Sequence, residues 1–121
     1  MFKLQNKTIH ISRTESGVLK VKRKNGSIND LQNAVNVLRV YETNGLDEIF
    51  LVEILGTYNS TDDTIDFNLG TFTNSTKIEL SNEPIEYWYE LRINDKIILG
   101  YDESKAKLLI VYPAGKEEAT E

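Results

Sequence analysis

The stretch that decides the fold is residues 85–93, which read Ile-Glu-Tyr-Trp-Tyr-Glu-Leu-Arg-Ile. Apolar or aromatic side chains occupy the odd positions, with Tyr87 and Tyr89 at the centre, and mainly charged side chains stand between them. An alternation with a period of two is typical of a β-strand that buries one face. Trp88 is the exception, because its position places it on the polar face. The three adjacent aromatic residues carry a large apolar area, so we expect neighbouring strands to pack around this one.

Further stretches of strand length recur on both sides of this one, separated by turn-forming residues. Two-residue turns are predicted at Asn25-Gly26, Asn44-Gly45 and Asn94-Asp95, the first two of type I′. Residues 35–55 are expected to form a hairpin, and residues 28–33 a loop that can include a short helical turn. About eight short strands at this spacing are typical of an antiparallel β-sandwich. The predicted strands are 8–12, 18–23, 35–42, 48–55, 65–69, 85–93, 96–101 and 106–112.

Length and composition predict one all-β domain over residues 1–113, followed by a charged and flexible tail over residues 114–121. The net charge of −5 argues against a nucleic-acid partner, because phosphate binding needs a concentrated basic surface. The chain has no cysteine, which excludes disulfides and thiolate chemistry. It has no apolar run of the ~20 residues that cross a bilayer, and its start lacks the apolar core of a secretory signal. We therefore expect a chain made inside the cell, with no membrane partner.

The sequence offers little catalytic chemistry. His10 is the single histidine, and we interpret it as an ordinary exposed strand residue, because a metal site or a general base would need partners that the sequence lacks. No nucleophile motif and no phosphate-binding glycine loop occurs. We therefore expect neither an enzyme nor a cofactor.

Two groups of charged residues have an alternative functional interpretation. Oxygens in the turn around Asp62, Asp63 and Asp66 could hold a calcium ion, but a solvated turn fits the spacing better, and no metal is expected. A basic strip could bind phosphate, although lysines that protect a sheet edge are the preferred interpretation. The strip consists of Lys20, Lys22, Arg23 and Lys24.

The polar face of the central strand carries the third group. Glu86 and Glu90 flank Trp88 and could suggest a sugar site, but their Cα atoms would stand about 13 Å apart along a strand. A solvated face is the preferred interpretation for this pair.

Aromatic residues outside the predicted core are the candidates for a partner-binding surface, because clustered exposed aromatics on a sheet mark such surfaces. Trp88 is either exposed on the polar face or covered and part of a core, and the sequence leaves both open. The partner-binding candidates are Trp88, Tyr101 and Tyr112.

The order of features along the chain resembles the N-terminal immunoglobulin-like domain of phage baseplate upper proteins. The sequence departs from the family in two ways. Arg13-Thr14-Glu15 replaces an Arg-Gly-Asp-like turn, and family members are usually longer, with stalk or fibre regions after this domain. The matching features are Thr8–Ser12, Asn25-Gly26, Asp30-Leu31, Ile65–Leu69, Ser75-Thr76, Tyr87–Leu91 and Leu108–Val111.

The resemblance implies an immunoglobulin-like β-sandwich that serves as a non-enzymatic phage or prophage structural module. Its expected partners are other tail or baseplate proteins, with self-association into a homo-oligomer as a further option. Its expected location is the virion, or the host cytoplasm before assembly. The alternative function is a carbohydrate-binding or adhesin-type sandwich, in which a glycan would quench the fluorescence of Trp88.

Overall fold

Strands dominate the computed structural model, which describes residues 2–43, 49–94, 96–99 and 107–113. Within these residues, one short helix, α1 (Gly70–Thr73), and one 3₁₀ turn at Asn29–Leu31 interrupt them, the latter inside the loop that can include a helical turn. The strands within these residues are β1 (Lys3–Gln5), β2 (Thr8–Ser12), β3 (Val18–Val21), β4 (Asn36–Tyr41), β5 (Val52–Leu55), β6 (Thr57–Asn59), β7 (Thr64–Asn68), β8 (Ile85–Ile93), β9 (Lys96–Leu99) and β10 (Lys107–Tyr112).

The strands form two sheets, and the predicted all-β sandwich is confirmed. The larger sheet has the order β1-β2-β10-β8-β4-β5, with β9 also paired to β8, and the smaller sheet has the order β3-β7-β6. With β3, β6 and β7 as strands B, D and E, and with β4, β8 and β10 as C, F and G, this order corresponds to that of immunoglobulin-like sandwiches. Every pair is antiparallel except β2 with β10, which is parallel.

The core lies between the two sheets and is centred on β8. Tyr87, Tyr89 and Leu91 point into it, each at most 3% exposed, which confirms the predicted buried face. Each buried tyrosine also satisfies its polar tip, as a phenol in an apolar environment must. The Tyr89 hydroxyl donates to the Lys7 carbonyl at 2.7 Å, and the Tyr87 hydroxyl accepts from the Glu79 amide at 2.9 Å.

Gly56 marks the point where the chain passes from one sheet to the other. It stands between β5 in the larger sheet and β6 in the smaller one, and its amide donates to the Asn36 carbonyl at 2.7 Å. A Cβ atom at this position would lie 2.6 Å from the Phe67 ring and 2.8 Å from Ile65. Glycine is therefore required here by close packing.

The turns differ from prediction in two places. At Asn25-Gly26 only Gly26 has a positive φ, of 88°, and β3 and β4 belong to different sheets, so the predicted type I′ turn is wrong. A two-residue turn with both φ angles positive, 51° and 69°, is instead formed by Asn6 and Lys7 between β1 and β2. This is the backbone signature of type I′.

Of the remaining predictions about the chain, one is confirmed and others fall on residues that the structure does not describe. Strands β4 and β5 pair antiparallel, which confirms the hairpin in residues 35–55, although its Asn44-Gly45 turn lies outside the described residues. The tail at 114–121 and Asp95 also lie outside them. Within the described parts of the chain, no helix has the length and apolar content needed to cross a bilayer.

Candidate interaction surface on the larger sheet

The outer face of the larger sheet, which points away from the smaller sheet, carries Trp88. In β8, Trp88 pairs in register with Tyr41 of β4 and Leu108 of β10. The next pair along β8 and β4, Tyr89 with Val40, belongs to the core. Because side chains alternate along a strand, Trp88 and Tyr41 point to the outer face. Trp88 is half-buried there, so it is neither a core residue nor a fully exposed one.

Glu90 lies on the same face and is completely buried, so its interpretation as part of a solvated surface is wrong. The Tyr41 hydroxyl donates to Glu90 Oε2 at 2.5 Å, and Arg92 Nε donates to the same oxygen at 2.7 Å. Burial raises the pKa of the Tyr41 hydroxyl, and the Glu90 carboxylate raises it further. Two donors compensate for the burial of one carboxylate oxygen. Glu86, by contrast, is exposed as expected.

The second oxygen of Glu90 has no hydrogen-bond partner among the described residues. Its Oε1 atom is buried and meets no donor in the part of the chain that the structure describes. An unsatisfied buried acceptor costs about 1–3 kcal/mol, so this oxygen is a local weakness of the network.

On the side of Glu90 that faces β5, the outer face carries charged and apolar side chains. Arg39 Nε donates to Glu53 Oε2 at 2.8 Å, and the Arg39 guanidinium carbon lies 4.8 Å from the centre of the Phe50 ring. On the same face, Val37 is buried and its cross-strand neighbour Leu55 is 67% exposed. On this part of the outer face Tyr41, Val37 and Glu90 are therefore buried, Trp88 is half-buried, and Leu55 is exposed.

Tyr112 lies on β10, and its side chain contacts that of His10 on β2. Their rings stack at 5.9 Å between centroids, and His10 Nδ1 stands 2.9 Å from the Tyr112 hydroxyl. His10 is therefore half-buried and packed against an aromatic ring, and its interpretation as an ordinary exposed residue is wrong. The third candidate, Tyr101, lies outside the described residues.

Lys20 joins the basic strip to the acidic turn, the two groups considered above as phosphate and calcium sites, and Arg23 of the strip pairs with a different carboxylate. Lys20 Nζ contacts Asp62 Oδ2 at 2.9 Å and Asp66 Oδ2 at 3.1 Å, while Arg23 is paired with Asp30 at 2.6 Å. Among the described residues, no group of histidine and acidic side chains is arranged to hold a metal ion. Lys20 stands on β3, an edge of the smaller sheet, where a lysine discourages pairing with another chain.

The residues that sequence reasoning missed are Tyr41 and Arg92, the partners of Glu90. Arg92 stands two residues after Glu90 on the same face of β8, so the alternation of that strand alone brings the two side chains together. Nothing in the local pattern identifies Tyr41, because its contact with Glu90 depends on the register between β4 and β8. No protein-family model matches the chain, and no curated protein or solved structure is significantly similar to it.

Proposed function

We propose that this chain is a non-enzymatic structural module of a phage or prophage tail or baseplate, which docks onto other virion proteins through the outer face of its larger sheet. The order of sequence features that resembles the baseplate family supports the assignment to a virion. A two-sheet sandwich with an immunoglobulin-like strand order is compatible with it. The observation that carries the docking role is the position of Trp88, half-buried on the outer face between Tyr41 and Leu108.

This position suits an anchor of a protein interface. A tryptophan already held by cross-strand neighbours loses little side-chain entropy on binding, and tryptophans are among the residues that dominate binding energy. The buried network of Tyr41, Glu90 and Arg92 stands beside it and fixes that side of the face. Repetition of such a contact around a symmetric assembly would multiply a modest affinity.

The alternative is a carbohydrate-binding or adhesin-type sandwich. The observation that favours it is the exposed carboxylate of Glu86 on the same strand face as the indole of Trp88. A carbohydrate-binding sandwich should change the fluorescence of Trp88 when a glycan is added. The structural module should change it when a virion protein is added.

Co-expression with the products of neighbouring tail genes tests the proposal. The wild-type chain should co-purify with at least one of them as a complex of defined stoichiometry. Trp88→Ala should weaken the complex by more than about tenfold, because it removes the proposed anchor. Val18→Ser is the matched control, since Val18 is an exposed apolar residue on the smaller sheet. A monomer that binds none of these products would contradict the proposal, and so would a complex that Trp88→Ala leaves intact.

A further inference from the structure

A half-open cleft of about 490 Å³ lies at one end of the sandwich, where β4 ends and β8 begins. Leu51 and Ile85, both half-buried, provide most of its apolar lining, and the buried Tyr87 also borders it. Tyr87 is fixed in place, because its ring packs edge-on against Phe72 at 5.0 Å and its hydroxyl accepts a hydrogen bond from the Glu79 amide. The volume is in the range of about 300–1,000 Å³ that is typical of ligand sites.

Three carboxylates surround this apolar lining. Glu42, Glu79 and Glu86 all line the cleft and are exposed, and their side chains form no ion pair or hydrogen bond with any described residue. Lys77 is the one cation among the lining residues that the structure describes. Burial raises the pKa of the Tyr87 hydroxyl, the hydrogen bond with the Glu79 amide lowers it, and the charges of Glu79 and Glu42 raise it to a smaller extent.

The chemistry of the cleft selects the class of ligand. These carboxylates do not form a group suited to a metal ion, among the residues whose placement is described. An apolar lining bordered by unpaired carboxylates matches a side chain that has an aliphatic stem and a cationic end. Lysine and arginine have this structure, and both bury the stem while the charge stays near water.

We propose that the cleft binds a lysine or arginine side chain from an extended segment of a partner protein. The stem packs against Leu51 and Ile85, and the charged group lies among the carboxylates of Glu42, Glu79 and Glu86. This inference deepens the proposed docking function and rests on it, because the segment belongs to the docking partner. The cleft adds a second contact, separate from Trp88, that selects partners by charge.

An NMR titration with a synthetic peptide tests this inference directly. The probe is an acetylated and amidated peptide of sequence Lys-Leu-Lys-Leu-Lys, and the matched peptides replace its lysines with glutamine or with glutamate. The lysine peptide should shift the backbone amide signals of Glu42, Glu79 and Tyr87, and added salt should weaken its binding. The glutamine and glutamate peptides should cause no comparable shifts.

Two charge-matched variants separate a specific site from general attraction to an acidic protein. E42Q/E79Q/E86Q removes the carboxylates of the cleft, and D30N/D62N/E83Q removes the same charge at exposed residues that do not line it. The cleft variant should bind the lysine peptide about tenfold more weakly, and the second variant should bind it nearly as well as wild type. Equal weakening in both variants, or signal shifts spread over the whole surface, would overturn the proposal. So would an absence of binding by the wild-type protein.

Trp88→Ala distinguishes failure of this inference from failure of the proposed function. It should leave peptide binding unchanged while it weakens the complex with virion proteins. A peptide that binds the cleft when no virion protein binds would remove the docking function but leave a site for cationic side chains. A virion complex that forms without any peptide binding in the cleft would support the docking function and overturn the cleft as a site for cationic side chains.

Discussion

The hydroxyl of Tyr41 donates a hydrogen bond to Oε2 of Glu90 across two neighbouring strands, on the face of the sheet that points away from the core. Both side chains are buried, at 2% and 0% exposed. The outer face of the larger sheet therefore has a buried polar network of its own. Trp88 is the cross-strand neighbour of Tyr41, so the proposed anchor stands directly beside this network.

Tyr41→Phe should destabilise the fold by about 1–3 kcal/mol, because it removes one of two donors to a buried carboxylate. In a double-mutant cycle, Tyr41→Phe should be less costly in the Glu90→Gln background, since the amide is neutral. Urea unfolding measures both effects. Tyr58→Phe is the control, because the Tyr58 hydroxyl bonds to Asp63 in a partly exposed turn. Equal losses for Tyr41→Phe and Tyr58→Phe would contradict a special role for the buried pair.

Gly56→Ala should destabilise the protein by about 1–3 kcal/mol, because the added methyl group would overlap the Phe67 ring at the passage between sheets. In a Phe67→Leu background the same substitution should cost less, since the smaller side chain leaves room. Thermal unfolding of the four proteins in this cycle measures the difference. A Gly56→Ala protein as stable as wild type would show that the two sheets are not joined as tightly as described.

The stability of the fold should fall as pH rises above about 10, the ordinary pKa of tyrosine. Burial raises the pKa of the Tyr89 hydroxyl, and burial is also the leading cause of the raised pKa values of Tyr41 and Tyr87. Between the unfolded and folded pKa values the native chain holds protons that the unfolded chain has released, so unfolding becomes more favourable as pH increases. Urea unfolding from pH 8 to 11, together with tyrosinate absorbance, follows this change.

Tyr89→Phe provides the comparison for the alkaline effect. The variant should lose less stability between pH 9 and pH 11 than wild type does, because one buried ionisable hydroxyl is gone. All tyrosines titrating near their ordinary pKa in the native protein would contradict the burial of this side chain.

Alternation along β8 was sufficient to predict the centre of the fold. The buried positions of Tyr87 and Tyr89 follow from a period of two together with their size, both of which are local properties of the sequence. The burial of Glu90 could not be predicted in the same way. A charged residue on a polar strand face is normally solvated, and its burial here depends on the hydroxyl of Tyr41, which is distant in the sequence.

The connections between elements were harder to predict for a related reason. Asn25-Gly26 has the composition of a hairpin turn, but the strands on either side of it enter different sheets. Asn6 and Lys7 form the observed two-residue turn although lysine is not a preferred residue at a positive φ. Which strand pairs with which is decided by tertiary packing, and dipeptide preferences are too weak to override it.

The most direct test of the docking role uses the fluorescence of Trp88, the only tryptophan of the chain. A virion protein that co-purifies with the chain, with its own tryptophans replaced by phenylalanine, would be titrated into it while emission wavelength and acrylamide quenching are recorded. Docking should shift the emission to shorter wavelength and reduce quenching, because it covers the exposed part of the indole. A complex that forms with no change in either quantity would contradict the docking role.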